Sequence, residues 1–412
     1  ITSDESRTTG AANFVQSELF ARTFKEGMAL VEETALTLLE TLGLSQAIPS
    51  MIDKVLAAGG SMTADDRLLF PRALVQQSIV DAKRNFSLCA QTPEHDLDIS
   101  NARVHMSSGG AAPGVFDLET GNYRDSTLVD LYDAARIVDQ MENIHHFSRS
   151  VVARDIEDNA VMDLNTAYAC LMGTSKHAST SITEPGNVPA IAKLCYAIAG
   201  GEAAFRARPF LTVMVCHVVP PMRFAEEACE VLEAAVKAGF PVQLISAGQA
   251  GATSPATIAG SLVQAVAETL AGLVFARLVD PEVKAIFAPK PLVADLRTGS
   301  MSGGGGEQAI LMAAAAQMGR HWDLPTSSIA GITDAKALDA QYGAEKSLAV
   351  AMAAHAGANI VTQAAGIHAS LLAVSLEGYV SDNDLLGNIL RTIRGVEATP
   401  ENIAADVIAS VC

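Results

Sequence analysis

From about residue 140 to the end of the chain, short β-branched runs alternate with longer stretches whose apolar residues recur every three or four positions. That alternation is the pattern of parallel strands joined by crossover helices. The clearest unit runs from Phe210 to Ser246. Its first part, Phe210 to Val219, is apolar enough for a strand buried on both faces, and Pro220 and Pro221 stop it. Phe224, Ala225, Ala228, Val231, Leu232, Ala235 and Val236 then keep a helical period, with Glu226 and Glu227 early, Lys237 late and Gly239 as the stop. Pro241 leads into the next strand, Val242 to Ser246. Beyond it, Ser254 and Pro255 predict an N-cap and a first-turn proline for a helix carrying Ile258, Leu262, Val266, Leu270 and Leu273.

The same reading predicts strands near Arg103 to Met106, Ile144 to Val152, Ala169 to Gly173, Leu211 to His217, Val242 to Ser246, Ala285 to Ala288, Ser327 to Gly331 and Asn359 to Thr362. Their number suits an α/β fold, the (β/α)8 TIM barrel, with an open doubly wound sheet as the structural alternative. Residues 11 to 80 read differently. Phe20, Phe24, Met28, Val31, Ala35, Leu38 and Leu42 keep a helical period and no strand is evident. Residues 1–100 are therefore expected to form a helical extension packed on a barrel of residues 101–412.

A chain of 412 residues fits one such domain, since barrels with added helices span about 250 to over 400 residues. No run of about 18 apolar residues is free of Gly, Pro and charge, which argues against a membrane span. Ile1 to Gly10 is polar and lacks the basic flank and apolar core of a secretory signal, so a cytoplasmic location is expected. The net charge of −18, with no basic run, makes nucleic acid a poor partner. Six widely spaced cysteines without a CxxC pair read as reduced thiols, and the nine histidines show no HExxH spacing, so no protein-bound metal is expected.

Chemistry in a barrel concentrates in the loops that follow the strands. By the predicted strands, His105, Ser107 and Ser108 belong to the first, and His145 and His146 to the second, where only one of the two can point inward. Thr174, Lys176 and His177 would follow the third and His217 the fourth. Thr333, Asp334 and Lys336 would follow the seventh, and Gln363, Gly366 and His368 the eighth. His217 reads equally well as a hydrogen-bonded core residue. His95, His321 and His355 lie away from strand ends, where a surface or packing role is the default. The run Gly303 to Gly306 lacks the Lys-Ser/Thr pair of a phosphate loop and is followed by Glu307, so it reads as a loop. No GxSxG elbow is present, which gives a serine hydrolase little support.

The segment Gly331, Ile332, Thr333, Asp334, Ala335 and Lys336, with Asp339, Gln341, Gly343, Glu345 and Lys346 and then Ala356 to Asn359, resembles the trimethylamine:corrinoid methyltransferase family. Gly251 to Pro255, the run from Ala267 and Glu268 to Gly272, and Asp295 to Gly299 agree with it, and the likeness extends from about Glu32 to Val407. Members usually continue beyond the equivalent of Ile408 with a glycine-rich, helical segment, which is expected to be absent here. The resemblance implies transfer of a methyl group from a methylated amine to the Co(I) of a corrinoid carried on a cognate partner protein. A neutral tertiary amine must be activated before it can leave, and in the founding members that activation is credited to pyrrolysine. The corresponding position here is about Ile332, which offers no nucleophile or base. The chain thus resembles members that lack pyrrolysine and act on quaternary amines such as glycine betaine.

The resemblance therefore makes Ile332 and Asp334 the catalytic positions, with Asp334 at the cationic end. His105, His146, His217, Thr333, Gln363 and His368 are the expected substrate contacts, protonated histidines serving any carboxylate. Aromatic residues are scarce, with 1 Trp and 6 Tyr, which weighs against a full aromatic cage. The alternatives are a barrel lyase or decarboxylase with a Schiff base on Lys176 or Lys290 and a protein that binds betaines without turnover. Homo-oligomerisation is left open.

Overall fold

The computed structural model describes residues 18–412. The polar start Ile1 to Gly10 and the side chains of Phe20 and Phe24 lie outside the described residues. Three helices come first: α1 (Glu18–Thr41), α2 (Pro49–Ala57) and α3 (Arg72–Val80). The expectation of helices alone in this region needs correction. Leu44–Ser45, Arg67–Leu69 and Ser61–Met62 pair there as a small antiparallel sheet, strands too short for a period-2 pattern to register.

Eight short parallel strands follow: β1 (His105–Met106), β2 (His146–Ser148), β3 (His177–Thr180), β4 (Leu211–Val215), β5 (Val242–Ser246), β6 (Ala285–Pro289), β7 (Ser327–Ile329) and β8 (Ile360–Thr362). Between and after them run α4 (Leu128–Asp139), α5 (Asn159–Gly173), α6 (Val188–Ala199), α7 (Glu202–Ala207), α8 (Glu226–Ala238), α9 (Ile258–Val279), α10 (Gly306–His321), α11 (Ala340–His355) and α12 (Leu376–Ile393). One parallel sheet has the order β6-β5-β4-β3-β2 and a second the order β7-β8-β1. Parallel bridges touch at both ends, Ser107 with His146 between β1 and β2, and Phe287 with Thr326 between β6 and β7.

The unit expected between Phe210 and Ser246 forms as its pattern dictates. Helix α8 has Glu226 and Glu227 in its first turn, Lys237 in its last and Gly239 at φ 86°, the left-handed cap that glycine adopts without strain. Two expectations were displaced. The helix after β5 begins at Ile258 behind the N-cap Thr257, whose hydroxyl accepts from Gly260, while Ser254 bonds the Ser261 hydroxyl at 2.8 Å. The third strand is His177–Thr180, and the apolar run Ala169 to Gly173 instead ends α5. Ala169, Cys170 and Leu171 are buried while Tyr168 and Met172 are half exposed, a helical alternation that a five-residue apolar run cannot reveal.

Helix α9 is long and apolar enough to cross a membrane, yet 78% of its most apolar window is buried within the fold. It contacts α1, α2 and α3, as well as β5 and β6. At the amino-terminal ends of the strands, the hairpin Ser87–Leu88 with Leu97–Asp98 packs Leu88, Leu97, Phe86 and Ile99 against Ile286 and Ile360.

Candidate active site

Moving the third strand changes which residues face which end. His105, His146 and His177 open their strands, so these three sit at amino-terminal ends and not in the loops beyond. His105 Nε2 lies 2.9 Å from the Asp98 carbonyl oxygen of the underlying hairpin. His177 lies 2.6 Å from the Cys89 carbonyl and 2.8 Å from the Thr212 hydroxyl. The ring of His146 stacks 5.3 Å from that of His177 and finds no hydrogen-bond partner on either nitrogen. Lys176 donates to the carbonyls of Val138, Met141 and Ile144 at 2.7, 2.6 and 2.7 Å, so all three of its protons are taken by the last turn of α4 and the segment that leads from it to β2.

Burial holds His105, His146 and His217 below the ordinary histidine value and brings His177 and His368 down to about 4. These rings are neutral at pH 7, and the expectation of protonated histidines facing a carboxylate gives way. Unfolded, each takes up a proton near pH 6.5, while the folded ring does so only near its lowered value. For His177 and His368 that stability is complete above pH 6.5 and is lost as the pH falls towards 4. For His177 the loss amounts to about 3 kcal/mol once the pH is below both values. Urea midpoints should fall between pH 7 and pH 5, and fall less in His177→Gln; identical slopes would remove His177 from the account.

The carboxyl-terminal ends carry a different set. A cavity of about 590 Å³ opens there, lined by Ser181 and Thr183 beyond β3, Met214 and Cys216 at the end of β4, Arg223 and Phe224 just before α8, and Glu226 and Glu227 in its first turn. Cys216 is exposed to it, whereas its neighbour His217 points away, with Nε2 2.9 Å from the Glu268 carbonyl of α9. Gly272 is needed beside that ring, for a Cβ there would lie 2.3 Å from Nε2. The core reading of His217 is the one its surroundings favour.

Just past β6, Lys290 is buried at 3% exposure and donates at 3.0 Å both to Gln243 Oε1 on β5 and to Thr362 Oγ1 on β8. Its side chain thus spans strands that are not neighbours. Desolvation brings its ammonium down to about 8. Arg149, just past β2, is partly buried, and its Nε has no partner. Among the described residues neither cation has a carboxylate within ion-pair distance. Sequence reasoning had placed Lys290 only in a rival mechanism and had not singled out Arg149.

The loop after β7 is tied down. The Asp334 carboxylate accepts from the Gly303 and Gly304 amides at 2.8 and 3.3 Å and from the Ser302 and Ser370 hydroxyls at 3.2 and 2.6 Å. The glycine run therefore cradles an anion of the chain itself. Thr333 donates to Glu345 at 2.5 Å. Ile332 is 1% exposed and lies under Gly303, where a Cβ would meet it at 2.2 Å. Gln363 takes the left-handed conformation, φ 60°, and its amide, oriented to satisfy its neighbours, bridges the Thr362 carbonyl and the Gly110 amide.

Loops after β1 and β8 join as a small sheet of Ile367–His368, Ala373–Val374, Gly114–Phe116 and Tyr123–Asp125. There His368 packs 4.7 Å from Phe116 and edge-on to Tyr342 at 5.6 Å, with no partner on either ring nitrogen. Beneath it Asp382 accepts from Lys346, Tyr342 and the Gly366 amide, each at 2.7 Å. Of the expected contacts, then, His105 and His146 lie at the opposite ends of the strands, and His217 turns outward. Thr333, Asp334, Gln363 and His368 stand at the carboxyl-terminal ends. Phe116 and Tyr342 were missed, because the loop carrying Phe116 reads as polar and Tyr342 as one residue of a helix.

The description "Trimethylamine methyltransferase (MTTB)" fits residues 5–412. The chain is 27% identical over 403 residues to a trimethylamine methyltransferase of Desulfitobacterium hafniense strain DSM 10664 / DCB-2, covering 98% of this chain and 79% of that one. It is 28% identical over 382 residues to the glycine betaine methyltransferase of Desulfitobacterium hafniense strain Y51, covering 92% and 79%. A dihydropteroate synthase of Xanthomonas albilineans superposes with a TM-score of 0.43 at 12% identity, covering 75% of this chain and all of that one. The match spans both the glycine loop that holds Asp334 and the strand ends that carry Lys290, so the chain belongs to the trimethylamine methyltransferase family and is a transferase.

Proposed function

We propose that the protein transfers a methyl group from a quaternary methylammonium compound, such as glycine betaine, to the cobalt of a corrinoid carried by a separate partner protein. In this reading residues 101–412 close as a (β/α)8 barrel, residues 18–100 pack on it as helices with their small antiparallel sheet, and the carboxyl-terminal mouth receives substrate and partner. The bridges Ser107 to His146 and Phe287 to Thr326 support closure, since they join the free edges of the two parallel sheets.

The observation that carries the substrate choice is Ile332, aliphatic, 1% exposed and covered by Gly303, at about the position where the resemblance puts the pyrrolysine of the founding members. With nothing there to form an adduct, the amine must arrive already charged so that it can depart neutral. Reduced cobalt supplies the nucleophile. The chain's own part is to bind the methylammonium head, hold it in line and exclude water. Glu226 and Glu227 outnumber Arg223 along the cavity and leave its lining net negative, and Met214 adds a soft apolar wall. Asp334, its oxygens already accepting four hydrogen bonds, acts in this reading as the clamp that fixes the glycine loop. Single-turnover absorbance of cob(I)alamin mixed with enzyme and glycine betaine tests the reading. Conversion to methylcobalamin is expected, and betaine binding without conversion would make the chain a binding protein.

A further inference from the structure

A non-glycine residue in the left-handed region of the backbone is strained and persists only where its surroundings fix it, which is often beside a ligand. Two such residues flank a single bridge at the edge of the cavity. The bridge joins Ser45 of the N-terminal extension to Arg223; Gln46, at φ 59°, follows it on one side, and Met222, at φ 49°, precedes it on the other. The Ser45 amide donates to the Met222 carbonyl at 3.3 Å, and the Phe224 amide to the Ser45 carbonyl at 2.9 Å. Arg67, which pairs with Ser45 in the small sheet, ties the same two segments together. Its guanidinium donates to the carbonyls of Leu42 and Gly43 at 2.8 Å each and to that of Met222 at 3.1 Å. From α9 the Glu268 carboxylate accepts from the Met222 amide at 2.7 Å. The turn before Ser45 is equally close-fitting, for Gly43 is at φ 62° and a Cβ there would lie 2.1 Å from the Leu68 carbonyl oxygen.

This anchoring brings one side chain of the extension into the cavity lining, that of Gln46. It is exposed there, and its amide has no hydrogen-bond partner among the described residues. We infer that Gln46 is a specificity-determining contact, which donates to a hydrogen-bond-accepting end of the methylammonium substrate such as a carboxylate, and that Arg67 is the residue that positions it. The inference rests on the proposed function and adds to it a residue from outside the barrel. The amide nitrogen of Gln46 carries two donors, and Ser181, Thr183 and Arg223 line the same cavity with more. A substrate with an accepting end gains a contact that a purely methylated cation cannot make, which is a basis for choosing between them.

Calorimetric binding of glycine betaine and of tetramethylammonium, which has the charged head and no acceptor, reads this contact. Gln46→Met keeps the length of the side chain and removes the amide. It should weaken glycine betaine about tenfold, the scale of one hydrogen bond to a charged group, and leave tetramethylammonium within about twofold. Gln46→Glu, with an anion where the donor was, should weaken glycine betaine further and tetramethylammonium not at all. Because Arg67 acts through Gln46, Arg67→Met should weaken glycine betaine in the wild-type background and change nothing further in Gln46→Met. Gln46 is exposed, so its two variants decide the contact even if Arg67→Met fails to fold. Equal losses for the two compounds, or none, in the Gln46 variants would overturn the contact, as would a wild-type protein that binds neither. An Arg67→Met loss that persists in full in Gln46→Met would overturn the positioning role. Methylation of cob(I)alamin is read separately: its absence beside the expected binding ratios would count against the proposed function and leave Gln46 standing.

Discussion

Replacing Asp382 by alanine should lower the unfolding free energy by about 3–5 kcal/mol, the largest loss expected from any single substitution in this chain. Both Asp382 and Lys346 have 0% side-chain exposure and meet at 2.7 Å. The same carboxylate oxygen also holds the Tyr342 hydroxyl and the Gly366 amide, so one residue joins α11, α12 and the loop that carries His368. Its removal leaves an ammonium with the Tyr342 oxygen and the Ile367 carbonyl as its remaining partners. Burial already pulls Lys346 below its ordinary value, so the orphaned amine should lose its proton and keep part of the stability at high pH. Removing both charges together, as in Lys346→Met with Asp382→Leu, should cost less than removing either alone, because no unpaired charge is then left. Urea unfolding of the three variants checks this, and a double variant less stable than both singles would mean the pair gains more than it loses by burial.

The same pair shows what a sequence can and cannot disclose. Lys346 was visible as part of a motif, four residues after Tyr342 on a helix, but Asp382 lies in the next helix and its approach is a matter of tertiary packing. Seven of the eight strands were found close to their places, because strands buried on both faces read as apolar runs bounded by Pro and Gly. The third was missed for the same reason: the buried end of α5 is equally apolar. That shift moved Lys176 and His177 to the amino-terminal ends, where they serve the fold.

The placing of His105 beyond its strand, and the even choice left for His217, have a related cause. A polar residue near a strand end suggests function, but His105 and His217 each satisfy a backbone carbonyl, Asp98 and Glu268, that no local pattern announces. Lys290 was legible as a lysine directly after a strand. Its lack of a counter-ion among the described residues was not, since that is a statement about every carboxylate that stays away from it. Asp334 was found by its motif, and the four hydrogen bonds it accepts explain why a glycine run precedes α10.

Substrate discrimination carries the largest expected effect on activity. Ile332 is sealed under Gly303, and the carboxylate beside it is committed to the glycine loop. No group there can add to a neutral amine and turn it into a leaving group, so a methyl group should come only from nitrogen that is already quaternary. The most direct measurement is methylcobalamin formation from cob(I)alamin by the purified full chain, with glycine betaine and trimethylamine supplied in parallel at saturating concentration. The account predicts methylcobalamin with glycine betaine and none above background with trimethylamine. Methylation by trimethylamine, with glycine betaine inert, would contradict it.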